Sequence, residues 1–313
     1  MTAGRRDQGT PRGAADQADS PILAADAPLR ATLGQLAEGA RLVFLAGLPG
    51  TGKSLIAHQI VHLARAAGRT VHLLQWDVAR PVFEASPAGQ RYPQDDGVTH
   101  PLIRKAAGLW ARRAVAAWDR REPAGHLLVG ETPLVGNRFI ELARPADDEA
   151  ERALGAPTCC FAVPVPSREI RALIEAERER RAVAPVHPRE REDASPHVLR
   201  ALWHELAAAA LADVEPAGTA PPSPPPSGRP DAPPPWDPDV YARVYQRLLR
   251  HRRVVLVAMG TRLPTARLSV YDFAAPPPDL VPEPAEATVI IREAEARWAD
   301  LDALRAEVER WWR

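Results

Sequence analysis

The chain has almost no lysine. Lys53 and Lys105 are the only two, although lysine and arginine together number 40 in 313 residues. Cysteine is as scarce: Cys159 and Cys160 stand side by side in the apolar run CCFAVPV, where a mutual disulfide would be strained and neither has metal-ligand spacing to another residue. They are expected to be reduced core residues. No apolar stretch approaches the roughly 20 residues that cross a bilayer, and the opening MTAGRRDQGTPRGAADQADS lacks the apolar segment of a signal peptide. The expectation is a cytoplasmic protein without a membrane partner. A charge imbalance is missing too, because acidic residues also number 40, so no whole-molecule field favours a polyanion and nucleic acid is not implied. What remains is a chain 45% apolar, enough for one large α/β domain or two smaller ones.

Against this arginine background a lysine at position 53 carries information. It lies in GLPGTGKS, Gly47 to Ser54. A compact ammonium can slot among phosphate oxygens as a point charge, which a planar guanidinium cannot. Gly47, Gly50 and Gly52 let backbone N–H groups turn toward phosphates, Leu48, Pro49 and Thr51 complete the loop, and Ser54 and Leu55 open a helix whose dipole favours anions. Lys53 is the candidate contact to the β and γ oxygens, and the Ser54 hydroxyl the candidate Mg²⁺ ligand. Before the loop, RLVFLAG (Arg41 to Gly47) is a short apolar run ending in glycine, as a buried parallel strand requires. After it, SLIAHQIVHLARAAG (Ser54 to Gly68) spaces Ile56, Ile60, Leu63 and Ala67 on one helical face. Strand, glycine loop and helix predict a site for a nucleoside triphosphate, ATP with Mg²⁺.

The rest of the chain alternates strand and helix signals. TVHLLQW (Thr70 to Trp76), GHLLVGE (Gly125 to Glu131), CCFAVPV (Cys159 to Val165) and VVLVAMG (Val254 to Gly260) read as further strands. Helices are predicted at Pro101 to Glu122, Ser167 to Arg181, His197 to Val214 and Asp239 to Arg252. This order predicts an α/β fold of the P-loop NTPase, kinase-like type, three layers with a central parallel sheet of about five strands. Residues 1–35 read as a loosely attached arm with a short helix near Leu29 to Leu36, and 36–274 as the P-loop domain. The proline-dense stretch 215–238 is expected to be a surface insertion, and Arg267 to Phe273 an extra strand. In 275–313 the apolar positions Trp298, Leu301, Leu304, Val308 and Trp311 fall three or four apart, which predicts one amphipathic helix docked on its own sheet rather than on a second copy.

Two strand ends carry further candidates. The third strand ends GETP, which leaves Glu131 as the carboxylate placed to hold Mg²⁺ or orient a nucleophile. Guanine-reading and switch motifs are not seen, nor is the Asp-Glu pair of an AAA-type ATPase. The second strand ends WDVAR, placing Asp77 and Arg80 at the carboxyl edge of the sheet, where open α/β sheets bind ligands. There a carboxylate can accept a proton from a hydroxyl and an arginine can fix an anionic group, although Asp77 could merely cap a helix and Arg80, before Pro81, could be plain surface.

GLPGTGKS followed by this D-x-x-R resembles the P-loop kinases grouped with zeta toxins, chloramphenicol phosphotransferase and the 5′-kinase domain of polynucleotide kinases. The resemblance implies transfer of the ATP γ-phosphate to a hydroxyl of a small molecule or nucleotide, with Asp77 as base and Arg80 as acceptor ligand. PVPSREIRALIEAERERR is similar to the acceptor-side loop and lid of such kinases, which implies that one or more of Arg171, Arg178 and Arg181 covers the transferring phosphate. The same arginines could form one solvated face with Glu175, Glu177 and Glu179. The alternative function is an ATP-hydrolysing regulatory NTPase acting on a macromolecular partner. Asn137 and Arg138 are further candidate contacts to the acceptor.

Overall fold

Leu42–Leu45 (β1) is buried at every position, and strict alternation sends Leu42 and Phe44 to one face and Val43 and Leu45 to the other. A strand covered on both sides needs helices on both sides, and the chain supplies them. The computed structural model describes residues 22–95, 97–212, 234–265, 268–273 and 275–312. Within them five parallel strands form one sheet in the order β2-β3-β1-β4-β5, with β2 at Val71–Gln75, β3 at Leu127–Glu131, β4 at Cys159–Pro166 and β5 at Val254–Met259.

One face is covered by Ala27–Gly39 (α1) and Lys53–Ala66 (α2), whose Leu29, Leu33, Ile56 and Ile60 pack on Val43, Leu45 and Val129. The packed core therefore includes residues before the expected boundary near residue 36. Asp26 caps α1 by accepting from the Leu29 N–H at 3.0 Å, and the four buried residues of that helix belong to the core. Residues 1–21 lie outside the described residues. The other face is covered by Trp76–Ala85 (α3), Pro101–Arg121 (α4) and, beyond two short helices at Ile140–Ala143 (α5) and Glu149–Leu154 (α6), by Pro238–Leu248 (α9 in chain order). The intervening helices are Arg168–Val183 (α7) and Pro196–Ala212 (α8).

Three expectations change. The proline-dense insertion lies outside the described residues from 213 to 233, and its last part is packed: Trp236 is buried, lies between the rings of Trp203 and Tyr241, and donates to the Pro166 carbonyl at 2.9 Å. The C-terminal segment forms two helices, Pro284–Arg297 (α10) and Leu301–Glu309 (α11), because Asp300 accepts from the N–H groups of Asp302 and Ala303 and starts a new helix. Both pack on α4 rather than on the sheet. The expected strand near Arg267 to Phe273 is a turn in its described part, where the Asp272 N–H donates to the Ser269 carbonyl at 3.2 Å. The edge of β2 that it could have joined is bridged instead by Pro278 to Leu280: Leu73 donates to the Pro278 carbonyl at 2.9 Å and accepts from the Leu280 N–H at 2.7 Å.

Both cysteines are free and buried in β4, and burial holds their thiols well above the ordinary value, Cys160 at about 11. Among the described residues no helix is long and apolar enough to cross a membrane.

Candidate nucleotide and acceptor site

Because β1 lies between β3 and β4, the loop that follows it is flanked by the carboxyl ends of both neighbours. That adjacency joins the glycine loop to Glu131: β1 Leu45 is in register with Glu131, and the Ser54 hydroxyl donates to Glu131 Oε1 at 2.7 Å. The loop needs its glycines. Gly50 and Gly52 have φ of 71° and 89°, and a Cβ on Gly47 would collide with the Tyr241 hydroxyl. Thr51 Oγ1 and Lys53 Nζ both donate to the Leu48 carbonyl, at 2.9 Å each, so the loop curls over its own lysine. The first N–H of α2 with a carbonyl partner is that of Ile56, and among the described residues those of Lys53, Ser54 and Leu55 have none, as at the open start of a helix.

Burial lowers Lys53 to about 8, with Glu131 opposing that shift and Arg178 adding to it. Burial raises Glu131, and the Lys53 ammonium works against the rise. An anion at the loop would relieve both the buried ammonium and the open N–H groups, so a triphosphate fits. Neighbouring ligands of an octahedral Mg²⁺ lie about 2.9 Å apart, given bonds of about 2.0–2.1 Å. The Ser54 to Glu131 spacing of 2.7 Å suits such an ion.

Loop and sheet edge open into a cavity of about 910 Å³ lined by Gly50, Lys53, Ser54, Asp77, Glu131 and Arg138 among others. Asp77 sits in the first turn of α3, which follows β2 without a break. It caps nothing: its carboxylate has no hydrogen bond or ion pair among the described residues, and the N-cap position belongs to Gln75. Arg80 also lines the cavity, but its guanidinium is held by Glu84 at 2.7 Å. The Arg138 guanidinium reaches the same cavity with no hydrogen-bond or ion-pair partner among the described residues; burial lowers its pKa and the nearby Asp77 opposes that. The loop bearing it is strained, since Leu134, Asn137 and Phe139 have φ of 63°, 62° and 62°. Buried neighbours enforce the strain. Lys105, itself buried, donates to Asn137 Oδ1 at 2.8 Å, Asn137 donates to the Val308 carbonyl, and Phe139 lies against Trp76 and Trp110. Asn137 is thus a structural pin and Arg138 the group it presents.

The three lid arginines separate. Arg171 does not reach over the cavity. It is buried beneath the glycine loop, donating to the Pro49 and Gly50 carbonyls at 3.0 and 2.8 Å and lying over the Trp236 ring. Arg181 lines the cavity but is tied to Glu177, Glu190 and the Thr265 and Leu268 carbonyls, so it fastens the roof. Arg178 faces the cavity and pairs with Asp193 at 3.1 Å, and Asp193 also accepts from Tyr271 at 2.8 Å. Of the three, Arg178 alone is placed to act on a phosphate near Lys53. Arg138 had only a residue-type signal in the sequence, and Arg171, one of three arginines offered as phosphate contacts, holds the carbonyls of the glycine loop.

Comparison of the chain with protein-family models, curated proteins and solved structures finds no match.

Proposed function

We propose that the chain is a kinase that transfers the γ-phosphate of MgATP to a hydroxyl of a small molecule or nucleotide. One observation carries this reading: a carboxylate, Asp77, and a guanidinium, Arg138, both without a hydrogen-bond or ion-pair partner among the described residues, face the same cavity as Lys53, Ser54 and Glu131. An NTPase needs to position only water, whereas this wall offers a base and an anion-binding group on the side away from the loop. The cavity also continues past Arg80 to Gln94, Gly97 and Thr99, which gives an acceptor room beside the nucleotide.

In this reading the loop N–H groups and Lys53 hold the β- and γ-phosphates. Ser54 and Glu131 would hold Mg²⁺, which supplies charge neutralisation at the phosphate oxygens. Arg138 orients the acceptor through an anionic group, and Arg178 balances charge on the transferring phosphoryl. Asp77 takes the proton from the acceptor hydroxyl as its oxygen bonds to the γ-phosphorus; the bond from that phosphorus to the bridging oxygen breaks, and ADP leaves.

Screening with labelled ATP against pools of nucleosides, sugars, cofactors and antibiotics tests the proposal. With an acceptor in hand, Asp77→Asn leaves MgATP affinity nearly intact and cuts transfer by roughly 10²- to 10⁴-fold. Hydrolysis that needs no acceptor, is stopped by Glu131→Gln and is indifferent to Asp77→Asn would establish the NTPase alternative instead.

A further inference from the structure

A second group of ligating atoms gathers at the opposite end of the sheet. His72 is the second residue of β2 and pairs with Leu128, whereas Gln75 pairs with Glu131 at the nucleotide end. Three residues of strand, about 10 Å, separate the two levels. α4 ends at Arg121, and the turn Glu122 to His126 leads straight into β3, so Glu122 and His126 arrive beside His72. His72 Nε2 lies 3.2 Å from His126 Nδ1, His126 Nδ1 lies 3.1 Å from Glu122 Oε2, and His72 Nε2 lies 3.7 Å from that same oxygen. Ligands at the corners of a zinc tetrahedron, with bonds of about 2.0–2.1 Å, stand about 3.3–3.4 Å apart. The triangle already has that size.

The turn is held in place by arginines from elsewhere in the fold. Arg41 donates to the Glu122 and Pro123 carbonyls at 2.8 and 2.7 Å, and Arg69 to the Gly125 and His126 carbonyls at 3.0 and 2.9 Å. Glu122 presents Oε2 to the histidines because Oε1 is engaged by Arg121 at 2.7 Å, the kind of outer partner that fixes a ligating carboxylate. The side chains of His72, Glu122 and His126 keep 13, 15 and 24% of their surface, so an ion can enter from solvent.

We propose that His72, Glu122 and His126 form a three-ligand Zn²⁺ site, with its fourth position open to water, that staples the α4–β3 turn to the edge strand β2. The donor set of two imidazoles and one carboxylate suits Zn²⁺ over Mg²⁺ or Ca²⁺, which take oxygen ligands. The site is separate from the nucleotide cavity and from the reading given for it.

Titrating the chelator-stripped chain with Zn²⁺ at neutral pH, in competition with a chromophoric chelator, tests the proposal. Saturable equimolar binding is expected, with a rise in melting temperature, and Co²⁺ in place of Zn²⁺ should give the visible absorption of a tetrahedral site. His72→Gln and His126→Gln should weaken Zn²⁺ at least about 100-fold, the upper end of what losing a mere supporting partner costs. Circular dichroism on the metal-free variants checks that they fold. Ser54→Ala should bind Zn²⁺ as tightly as the wild type. Absence of saturable binding by the wild-type chain, equal affinity in the two glutamine variants, or loss of the site in Ser54→Ala would each overturn it; the first means that the triad is a hydrogen-bonded imidazole–carboxylate cluster only.

Discussion

Lys53 is a cation that the fold makes uncomfortable. Its folded pKa of about 8 lies below the ordinary 10.5, so between those values the unfolded chain binds more protons than the folded one. Stability from this group therefore rises with pH across that window and is fully penalised below it. Denaturant titrations should show the rise in the wild type and lose it in Lys53→Met; identical slopes in both would dismiss the shift. Phosphates reverse the preference by restoring the charged form, so nucleotide binding should take up a proton above pH 8, with affinity falling by up to about tenfold per pH unit. Calorimetry in buffers of different ionisation enthalpy reads that proton directly. Lys53 was legible in the sequence because a glycine loop and a lone lysine are local signals. Arg138 was not equally legible, because what frees it is the set of distant residues that strain its loop, Lys105 and Val308 among them. The carboxylate of Asp77 could be placed at the sheet edge from strand order alone, whereas its lack of a partner is visible only in three dimensions.

Elements were read best where burial is two-sided. All five strands announced themselves as apolar runs, and helix ends moved by only a few residues. The break between α10 and α11 was hidden because apolar residues keep helical spacing from Trp298 to Leu304 straight across it. Arg171 belongs to this scale, since it fastens α7 to the glycine loop through two carbonyls. Arg171→Met removes both bonds and should cost about 1–3 kcal/mol of stability for unsatisfied buried groups, together with weakened MgATP binding. Chemical denaturation and nucleotide titration measure the two effects, and a loss of neither would return Arg171 to the role of a surface charge. The segment joining α8 to α9 divides at residue 234. Replacing 213–233 with a short Gly/Ser linker should shift the melting temperature little, because loop length enters stability only logarithmically. Trp236→Ala, by contrast, should cost about 3–5 kcal/mol, the range for a buried tryptophan removed from an aromatic stack.

At the scale of the molecule, contacts between distant segments complete what local order begins. Lys105 in α4 is buried with Glu307 of α11 at 2.8 Å and Glu141 at 3.2 Å, and Trp311 is buried against Tyr245. Ending the chain at residue 283 should therefore leave Lys105 under-compensated and an apolar face of α4 bare, and the product should be aggregated or molten when examined by size-exclusion chromatography and near-ultraviolet dichroism. A truncated chain that stays monomeric and melts cooperatively would make the two helices an accessory. The bridge along β2 has a different reach. A sheet edge is a template on which a foreign strand can grow, and here the N–H and carbonyl of Leu73 are already taken by Pro278 and Leu280, with Pro276 and Pro277 beside them unable to donate. A strand arriving at this edge therefore finds the N–H and carbonyl of Leu73 occupied, and Leu280→Pro, which deletes one bridging N–H, should shorten the lag before heat-induced aggregation without altering nucleotide affinity.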